Sequence, residues 1–159
     1  HALFWDACKD IPWDVLLLFG GGLSMAAAIQ STGGSGLIGA QAVALANLPE
    51  YVMIIGVAAM VIFATEVTSN TALTAAMLPI LAAAAPAMGM RPEVLLLTTA
   101  IGASAAFMMP VAPPPNAIIF GTGRLKIGEM IRAGFWLNVI SVFVIGTLSY
   151  FLSDLVLKI

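Results

Sequence analysis

Long stretches without any charged residue restrict the fold of this chain more than any other feature of its sequence. Five such stretches occur, at residues 15–49, 51–65, 67–90, 94–123 and 133–153. Most of them approach or exceed the roughly 20 apolar residues that cross a hydrocarbon core as a helix. Charged residues make up 9% of the chain, against about 25% in ordinary globular proteins. The sequence therefore predicts an all-α, polytopic membrane protein.

The remaining composition argues against several functional classes. The net charge of −2 comes without a basic cluster, so we expect no nucleic-acid partner. The single cysteine, Cys8, cannot form an internal disulfide or a cysteine metal cluster. The single histidine, His1, stands at the chain end, so His-dependent catalysis has no suitable residue and we expect no enzyme. Because the chain starts with His1 rather than methionine, we expect a piece of a longer protein.

Two polar interruptions divide the apolar sequence. The first is Thr-Glu-Val-Thr-Ser-Asn-Thr at residues 65–71, and the second is Pro-Val-Ala-Pro-Pro-Pro-Asn at residues 110–116. In a bilayer no water satisfies unwound backbone, so each unpaired N–H or C=O costs several kcal/mol unless a partner binds it. Two such breaks in one short chain therefore predict a binding site.

The spacing of apolar and polar residues predicts the order of the elements. We expect an interfacial helix at 1–10, a span at 13–31, a short helix at 37–48, a re-entrant hairpin at 49–88, a broken helix at 92–123 and a last span at 133–157. The hairpin is favoured over two full spans because each arm has only about 15 residues, or roughly 22 Å of helix, against a core of ~30 Å. Within the broken helix we expect one half-helix from Glu93 to Met109 and a restart at Ala117.

The residue types of the interruptions suit ions of both signs. Ser69, Asn70 and Thr71 are common N-cap residues, and a helix N-terminus in low dielectric attracts a carboxylate or similar oxyanion. The carbonyls that end the preceding arm suit a hard monovalent cation such as Na⁺. In the second interruption, prolines lack the N–H and stop the helix, which leaves carbonyls free, and Asn116 can cap the next half-helix. The alternative for the first interruption is a polar turn in water.

Other polar residues within the apolar stretches have competing interpretations. Glu66 is a functional candidate because carboxylates are rare inside membranes. It could bind the substrate or ion directly, or it could be a structural partner of serine or backbone groups. For Thr98, Thr99 and Ser104 we expect bonds to carbonyls in the preceding helical turn.

The motifs at these interruptions resemble those of a known transporter family. Residues 65–71, followed some forty residues later by Phe-Met-Met-Pro-Val-Ala-Pro-Pro-Pro-Asn-Ala-Ile-Ile-Phe at 107–120, are similar to the divalent-anion/sodium symporter family. These INDY-like carriers transport di- and tricarboxylates and, in some branches, sulfate. Pro-Trp-Asp-Val-Leu-Leu-Leu-Phe-Gly-Gly-Gly at 12–22 matches a further stretch of that family, so the resemblance covers nearly the whole chain.

This resemblance implies one of two inverted repeats, each with a Ser-Asn-Thr hairpin and a broken helix. The chain resembles the second, C-terminal repeat, and the family works as a homodimer that moves substrate by an elevator motion. The implied substrate-binding residues are Ser69, Asn70, Thr71, Pro113 and Pro114. The implied sodium ligands are Thr65, Thr68, Asn70 and Ala112, with Thr68 and Ala112 acting through backbone carbonyls. The first sodium site would belong to the N-terminal repeat, and the chain alone should not transport.

One position departs from the family pattern. Between Ala112 and Pro114 the family usually has a hydroxyl residue or Asn, whereas this chain has Pro113. The change removes a side-chain donor and a backbone N–H near the substrate. It bears on which anion is preferred more than on the transport class.

The functional prediction is sodium-coupled symport of a succinate-like di- or tricarboxylate across the plasma membrane. Alternatives are a sulfate or other oxyanion carrier, an ion exchanger of the same superfamily, and a non-transporting membrane module. By the positive-inside rule, Lys9, Arg124, Lys126 and Arg132 should lie in the cytoplasm. Arg91 and Lys158 then lie on the other side, which places the C-terminus outside.

Overall fold

The computed structural model describes residues 48–110 and 114–156, together with scattered positions between 16 and 33. The helices are α1, Glu50–Thr65; α2, Asn70–Ala84; α3, Pro92–Gly102; α4, Pro114–Gly121; and α5, Ile127–Val156. A 3-10 turn, Ala85–Met88, continues α2. Within these described ranges the regular secondary structure is helical, without a strand. The all-α prediction is therefore confirmed for this part of the chain.

The first third of the sequence is described only in part. The predicted interfacial helix 1–10 and, apart from Leu48, the short helix 37–48 lie outside the described residues. In the predicted span 13–31, every position that is described is helical. Gly33 follows with a φ of 72°, a left-handed conformation that favours glycine and commonly ends a helix.

Helices α1 and α2 form the two arms of the predicted hairpin. They have 16 and 15 residues, and the turn between them contains the first polar interruption. Pro49 precedes α1, and its carbonyl accepts the N–H groups of Val52 and Met53. The 3-10 turn lengthens the second arm, so that Asn70–Met88 is long and apolar enough to cross a membrane, as is Ile127–Leu152. The re-entrant course of the hairpin remains a prediction.

Helix α3 lies against α1, α2 and α5, and α1 packs along α5. One buried cluster joins α1 and α3 through Ile54, Val61, Val94 and Leu95, among others. A second cluster lies between α1, the residues after α3, and α5; it contains Ala58, Ile62, Ala105, Val142 and Ile145. The two clusters hold the end of α1 and the end of α3 side by side. This brings the two polar interruptions to one place.

The prediction that the half-helix continues to Met109 is wrong. Helix α3 ends at Gly102, and residues 105–110 are irregular. The N–H groups of Phe107, Met108 and Met109 bond to side chains from other elements instead of to carbonyls one turn earlier. We call residues 103–110 the break. Helix α4 also begins at Pro114, before the predicted restart at Ala117.

The hydroxyls of Thr98 and Thr99 behave as predicted. They donate to the carbonyls of Val94 and Leu95, each at 2.7 Å. Both threonines are fully buried. Their polar groups are therefore satisfied within α3. Ser104 lies beyond the end of α3 with an exposed side chain, and among the described residues its hydroxyl forms no such bond, so the expectation does not hold for Ser104.

Candidate functional site

The two polar interruptions meet through the carboxylate of Glu66, the residue that follows α1. Its Oε1 accepts the N–H of Phe107 at 2.7 Å and of Met108 at 2.9 Å. Its Oε2 accepts the N–H of Met109 at 2.9 Å. These residues are 41 to 43 positions away in sequence. These three bonds give partners to N–H groups that the unwound break leaves without helical carbonyls.

A second side chain, from α5, completes this arrangement. The Nδ2 of Asn138 donates to Glu66 Oε1 at 2.6 Å, and its Oδ1 accepts the N–H of Phe107 at 3.2 Å. Asn138 is fully buried and Glu66 is 5% exposed. Of the two interpretations of Glu66, the geometry favours the structural one, because both of its oxygens already accept donors from the break and from α5.

The hydroxyl of Thr65 marks the point where three oxygen atoms converge. Thr65 Oγ1 lies 2.6 Å from Asn70 Oδ1 and 3.1 Å from the carbonyl oxygen of Ala103. A hydroxyl has one proton, so it can donate to only one of these two acceptors at a time. Thr65 is fully buried. Three neutral oxygens with one proton between them form a partial coordination shell for a hard cation such as Na⁺.

The carbonyl of Ala103 is available because of how the break is bonded. In a continuous helix its partner would be the N–H of Phe107, four residues later. That N–H instead donates to Glu66 and Asn138. The carbonyl of Ala103 therefore faces Thr65 rather than its own helix. The sequence analysis did not predict a role for Ala103, because that role depends on the N–H of Phe107 bonding to Glu66 and Asn138 instead of to the Ala103 carbonyl.

The Ser-Asn-Thr residues begin α2, as the prediction requires. Ser69 occupies the N-cap position in an extended conformation, without a side-chain capping bond. Its hydroxyl lies 3.0 Å from that of Thr71, and both residues are exposed. The first N–H groups of a helix have no partner within the helix, so this end of α2 can receive an anion. Asn70 directs its side-chain oxygen to Thr65, which links this helix end to the oxygen cluster.

The structure describes the remaining predicted ligands only in part. Thr68 donates its hydroxyl to the carbonyl of Ala64 at 2.8 Å, which leaves its own carbonyl as the atom that the family resemblance assigns to sodium. Ala112 and Pro113 lie outside the described residues, and so does the side chain of Pro114. Their roles remain predictions.

Asn116 does not cap α4, contrary to the sequence-based expectation, because it lies inside that helix and bonds backwards. Its Nδ2 donates to the carbonyls of Ala106 and Met109, both at 3.1 Å. Helical partners for these two carbonyls would be residues 110 and 113, which are prolines without an N–H. One amide group therefore satisfies the two carbonyls that the prolines orphan.

The break also lies very close to α5, at a glycine that sequence analysis did not single out. A Cβ on Gly134 would overlap the carbonyl of Phe107 and lie 2.6 Å from the Cα of Met108. Gly134 and Asn138 are four residues apart, so they occupy one face of α5. The sequence analysis did not use Asn138; an asparagine within an uncharged apolar stretch is the signal that could have indicated this face.

A cavity of about 250 Å³ lies beside this face, and its lining is almost entirely apolar. Residues from the break, α4 and α5 surround it, including Phe107, Ile119, Met130 and Leu137. None of the Ser-Asn-Thr residues contributes to its wall. An apolar cavity offers nothing to a carboxylate, whereas the start of α2 has free N–H groups that can bind one.

Comparison with known proteins agrees with the motifs. Residues 1–157 match the family model described as the sodium:sulfate symporter transmembrane region. The chain is similar to the sodium-dependent dicarboxylate transporter SdcS of Staphylococcus saprophyticus and to that of Staphylococcus aureus. Each is 43% identical over 155 residues, which are 98% of this chain and 30% of the relative. The chain thus spans about 30% of the length of the curated relatives it matches.

These relatives are transporters rather than enzymes, and the family resides in membranes. The matched family is the one that the interruptions at 65–71 and 107–120 indicate. The chain therefore belongs to the divalent-anion/sodium symporter family, as part of its transmembrane region.

Proposed function

We propose that this chain is the C-terminal repeat of a sodium-coupled symporter that carries a succinate-like dicarboxylate across the cell membrane. The observation that carries the proposal is the convergence of Thr65 Oγ1, Asn70 Oδ1 and the Ala103 carbonyl directly beside the start of α2. The printed names of the SdcS relatives, which specify sodium dependence and a dicarboxylate, support it.

Sodium, as a co-transported substrate, would bind between the hairpin tip and the break. Thr65 and Asn70 would supply side-chain oxygens, and Thr68 and Ala112 would supply carbonyls. The carbonyl of Ala103 lies within reach of the same point, 3.1 Å from Thr65 Oγ1. Neutral hydroxyl, amide and carbonyl oxygens suit a monovalent cation at the ends of broken helices.

The dicarboxylate would bind next to the sodium ion, at the N-terminus of α2. Ser69 and Thr71 are exposed there and can donate their hydroxyls to a carboxylate. The free N–H groups and the positive end of the helix dipole add to this attraction. Pro113 and Pro114 would border the site without donating to the anion, since proline has no N–H.

Coupling would arise because both ligands use Asn70. Its side-chain oxygen lies in the cation cluster, while its backbone N–H belongs to the first turn of α2. A sodium ion held by that oxygen would order the hairpin tip and add positive charge beside the anion. Each ligand would then raise the affinity for the other by the same factor.

The remaining parts of the transporter would lie outside this chain. The N-terminal repeat would complete the site and bind the first sodium ion, and the assembly would be a homodimer in the lipid bilayer with its C-terminus outside. The length of the relatives, of which this chain covers 30%, is consistent with a second repeat.

Uptake by the intact transporter in proteoliposomes tests the proposal. We expect Asn70→Ala to abolish sodium-dependent uptake of radiolabelled succinate, because it removes an oxygen from the cation cluster. Thr98→Val is the matched control, since that buried hydroxyl bonds only within α3. Sodium-dependent succinate uptake by Asn70→Ala at the wild-type rate would contradict the assignment.

A sulfate carrier is the second candidate, because the matched family model is described by sodium:sulfate symport. Uptake by the same proteoliposomes under an imposed inward sodium gradient distinguishes dicarboxylate transport from sulfate transport. Radiolabelled succinate, citrate and sulfate are supplied separately at equal concentration. We expect succinate to be taken up fastest; a clear preference for sulfate would replace the dicarboxylate by an inorganic oxyanion.

A further inference from the structure

We propose that Asn138 is a positioning residue for the sodium site, although it lies on α5 and touches none of the proposed sodium ligands directly. Its effect runs through Glu66 and Phe107, which determine where the carbonyl of Ala103 points. The inference rests on the proposed sodium site and assigns part of its construction to the last helix.

Both ends of the Asn138 amide are used, and each joins a different element. Its Nδ2 donates to Glu66, at the end of α1, and its Oδ1 accepts from Phe107, in the break. The side chain is fully buried, so water cannot replace either bond. Removing the amide therefore leaves a carboxylate and a backbone N–H with one partner fewer, which is costly in a buried site.

The bonds of Asn138 oppose a specific rearrangement of the break. The N–H of Phe107 has two possible sets of partners: Glu66 with Asn138, as observed, or the carbonyl of Ala103, as in a continuous helix. In the second state α3 gains a turn and Ala103 no longer faces Thr65. Asn138 stabilises the first state, in which the oxygen cluster is complete.

The position of α5 makes this contact possible. Gly134 lies one turn before Asn138 and has no side chain, so the backbone of Phe107 and Met108 packs directly on α5. Asn138 then reaches past the break to Glu66. The ligands of an ion site must be held to within fractions of an ångström, so contacts that orient those ligands have measurable effects on affinity.

Sodium-dependent thermal stabilisation of the purified intact transporter measures this effect without requiring transport. Unfolding temperatures are recorded at increasing NaCl, with KCl keeping the ionic strength constant. Asn138→Asp retains the shape and the acceptor for Phe107 but presents an oxygen to Glu66 in place of the donor. We call the sodium concentration at half-maximal stabilisation the sodium midpoint. We expect it to rise about tenfold, as the loss of a buried hydrogen bond implies.

Ser149→Ala is the matched control on the same helix. Ser149 is also fully buried, and its hydroxyl has no hydrogen-bond partner in the described part of the chain. Its removal should leave the sodium midpoint unchanged within twofold. A rise of the midpoint in this control equal to that in Asn138→Asp would show a general effect of altering α5 and would overturn the proposal.

A second substitution tests the bonds of Asn138 without adding a charge beside Glu66. Asn138→Leu keeps the approximate volume of the side chain but removes both hydrogen bonds. We expect its sodium midpoint to rise at least as far as that of N138D. A wild-type midpoint in either variant overturns the proposal. Asn138→Ser retains a hydroxyl that can bond to either Glu66 or Phe107. We expect an intermediate sodium midpoint for this variant, and it replaces N138D in the test if N138D does not fold.

The outcome distinguishes this inference from the proposed function. A wild-type transporter that is stabilised by sodium but takes up no succinate refutes the dicarboxylate proposal, while the variants still test Asn138. A wild-type transporter without sodium-dependent stabilisation refutes the inference itself, because there is then no sodium site to position.

Discussion

At the scale of single residues, the absence of a side chain at Gly134 lets the break pack directly on α5. The helix α5 approaches the break so closely that the neighbouring atoms belong to the backbone of Phe107 and Met108. Backbone cannot rotate away as a flexible side chain can. A methyl group at this position would therefore push the break off α5 and lengthen the bonds of Glu66 and Asn138.

We predict that Gly134→Ala lowers the free energy of unfolding by about 1–3 kcal/mol, the usual cost of overpacking, and reduces sodium-dependent uptake at least tenfold. Gly128→Ala, on the same helix, has nothing within 4 Å of the added carbon and should behave as the wild type. Thermal unfolding and initial uptake rates of the intact transporter measure both effects. Wild-type uptake by Gly134→Ala would contradict the close packing.

The prolines of the second interruption show which features of single residues the sequence alone predicts. Pro110 and Pro113 lack an N–H, so a break at this point was predictable from the sequence alone. The partner of the orphaned carbonyls was not: Asn116 was expected to cap α4, whereas it donates to Ala106 and Met109. The direction of an asparagine side chain depends on which unsatisfied groups lie nearest in space, and sequence does not contain that information.

At the scale of elements, the pair α1 and α5 supports the hairpin tip. Gly146 of α5 packs on the side chain of Ile55, so the two helices lie close together at this point. One turn away, the hydroxyls of Tyr51 and Thr147 are 3.0 Å apart, and the rings of Tyr51 and Tyr150 meet edge to face at 5.7 Å. These contacts hold the start of α1, and the tip residues continue from its other end.

We predict that Gly146→Ala destabilises the intact transporter modestly, by about 1 kcal/mol, because the added methyl group meets the end of the flexible Ile55 side chain. Ile55→Val removes the Cδ1 atom that would be overlapped. The double variant should therefore unfold at a higher temperature than the two single losses would predict by addition. Strict additivity would show that the helices do not approach each other here.

At the scale of the whole molecule, the outer face of α5 is a continuous apolar surface. Its exposed side chains include Phe135, Trp136, Ile140, Phe143, Val144, Leu148 and Phe151. Surfaces of this kind are rare on proteins in water and are normal where lipid or another part of a membrane protein covers them. The helix has 30 residues, or roughly 45 Å at 1.5 Å per residue, so its charged first turns extend beyond a ~30 Å core.

The distribution of basic residues predicts the orientation of the intact transporter. In a background where all native cysteines, Cys8 included, are replaced by serine, a cysteine at Lys126 should react with an impermeant maleimide only from the cytoplasmic side. A cysteine at the exposed Ala87 should react only from outside. Labelling of intact cells and of inverted vesicles measures both. Reaction of both positions from the same side would refute the predicted topology.

The sequence by itself determined the properties that depend on neighbouring residues. Apolar length, missing proline N–H groups and the Ser-Asn-Thr motif are local, and they were sufficient for the all-α membrane class, the two interruptions and the family. Only the tertiary structure decided how the interruptions are bonded, because Glu66 and its partner Asn138 are 72 residues apart. The early end of α3 and the direction of the Ala103 carbonyl follow from that contact. A long-range donor competes with the helix for the same N–H group, and no local pattern records which partner it takes.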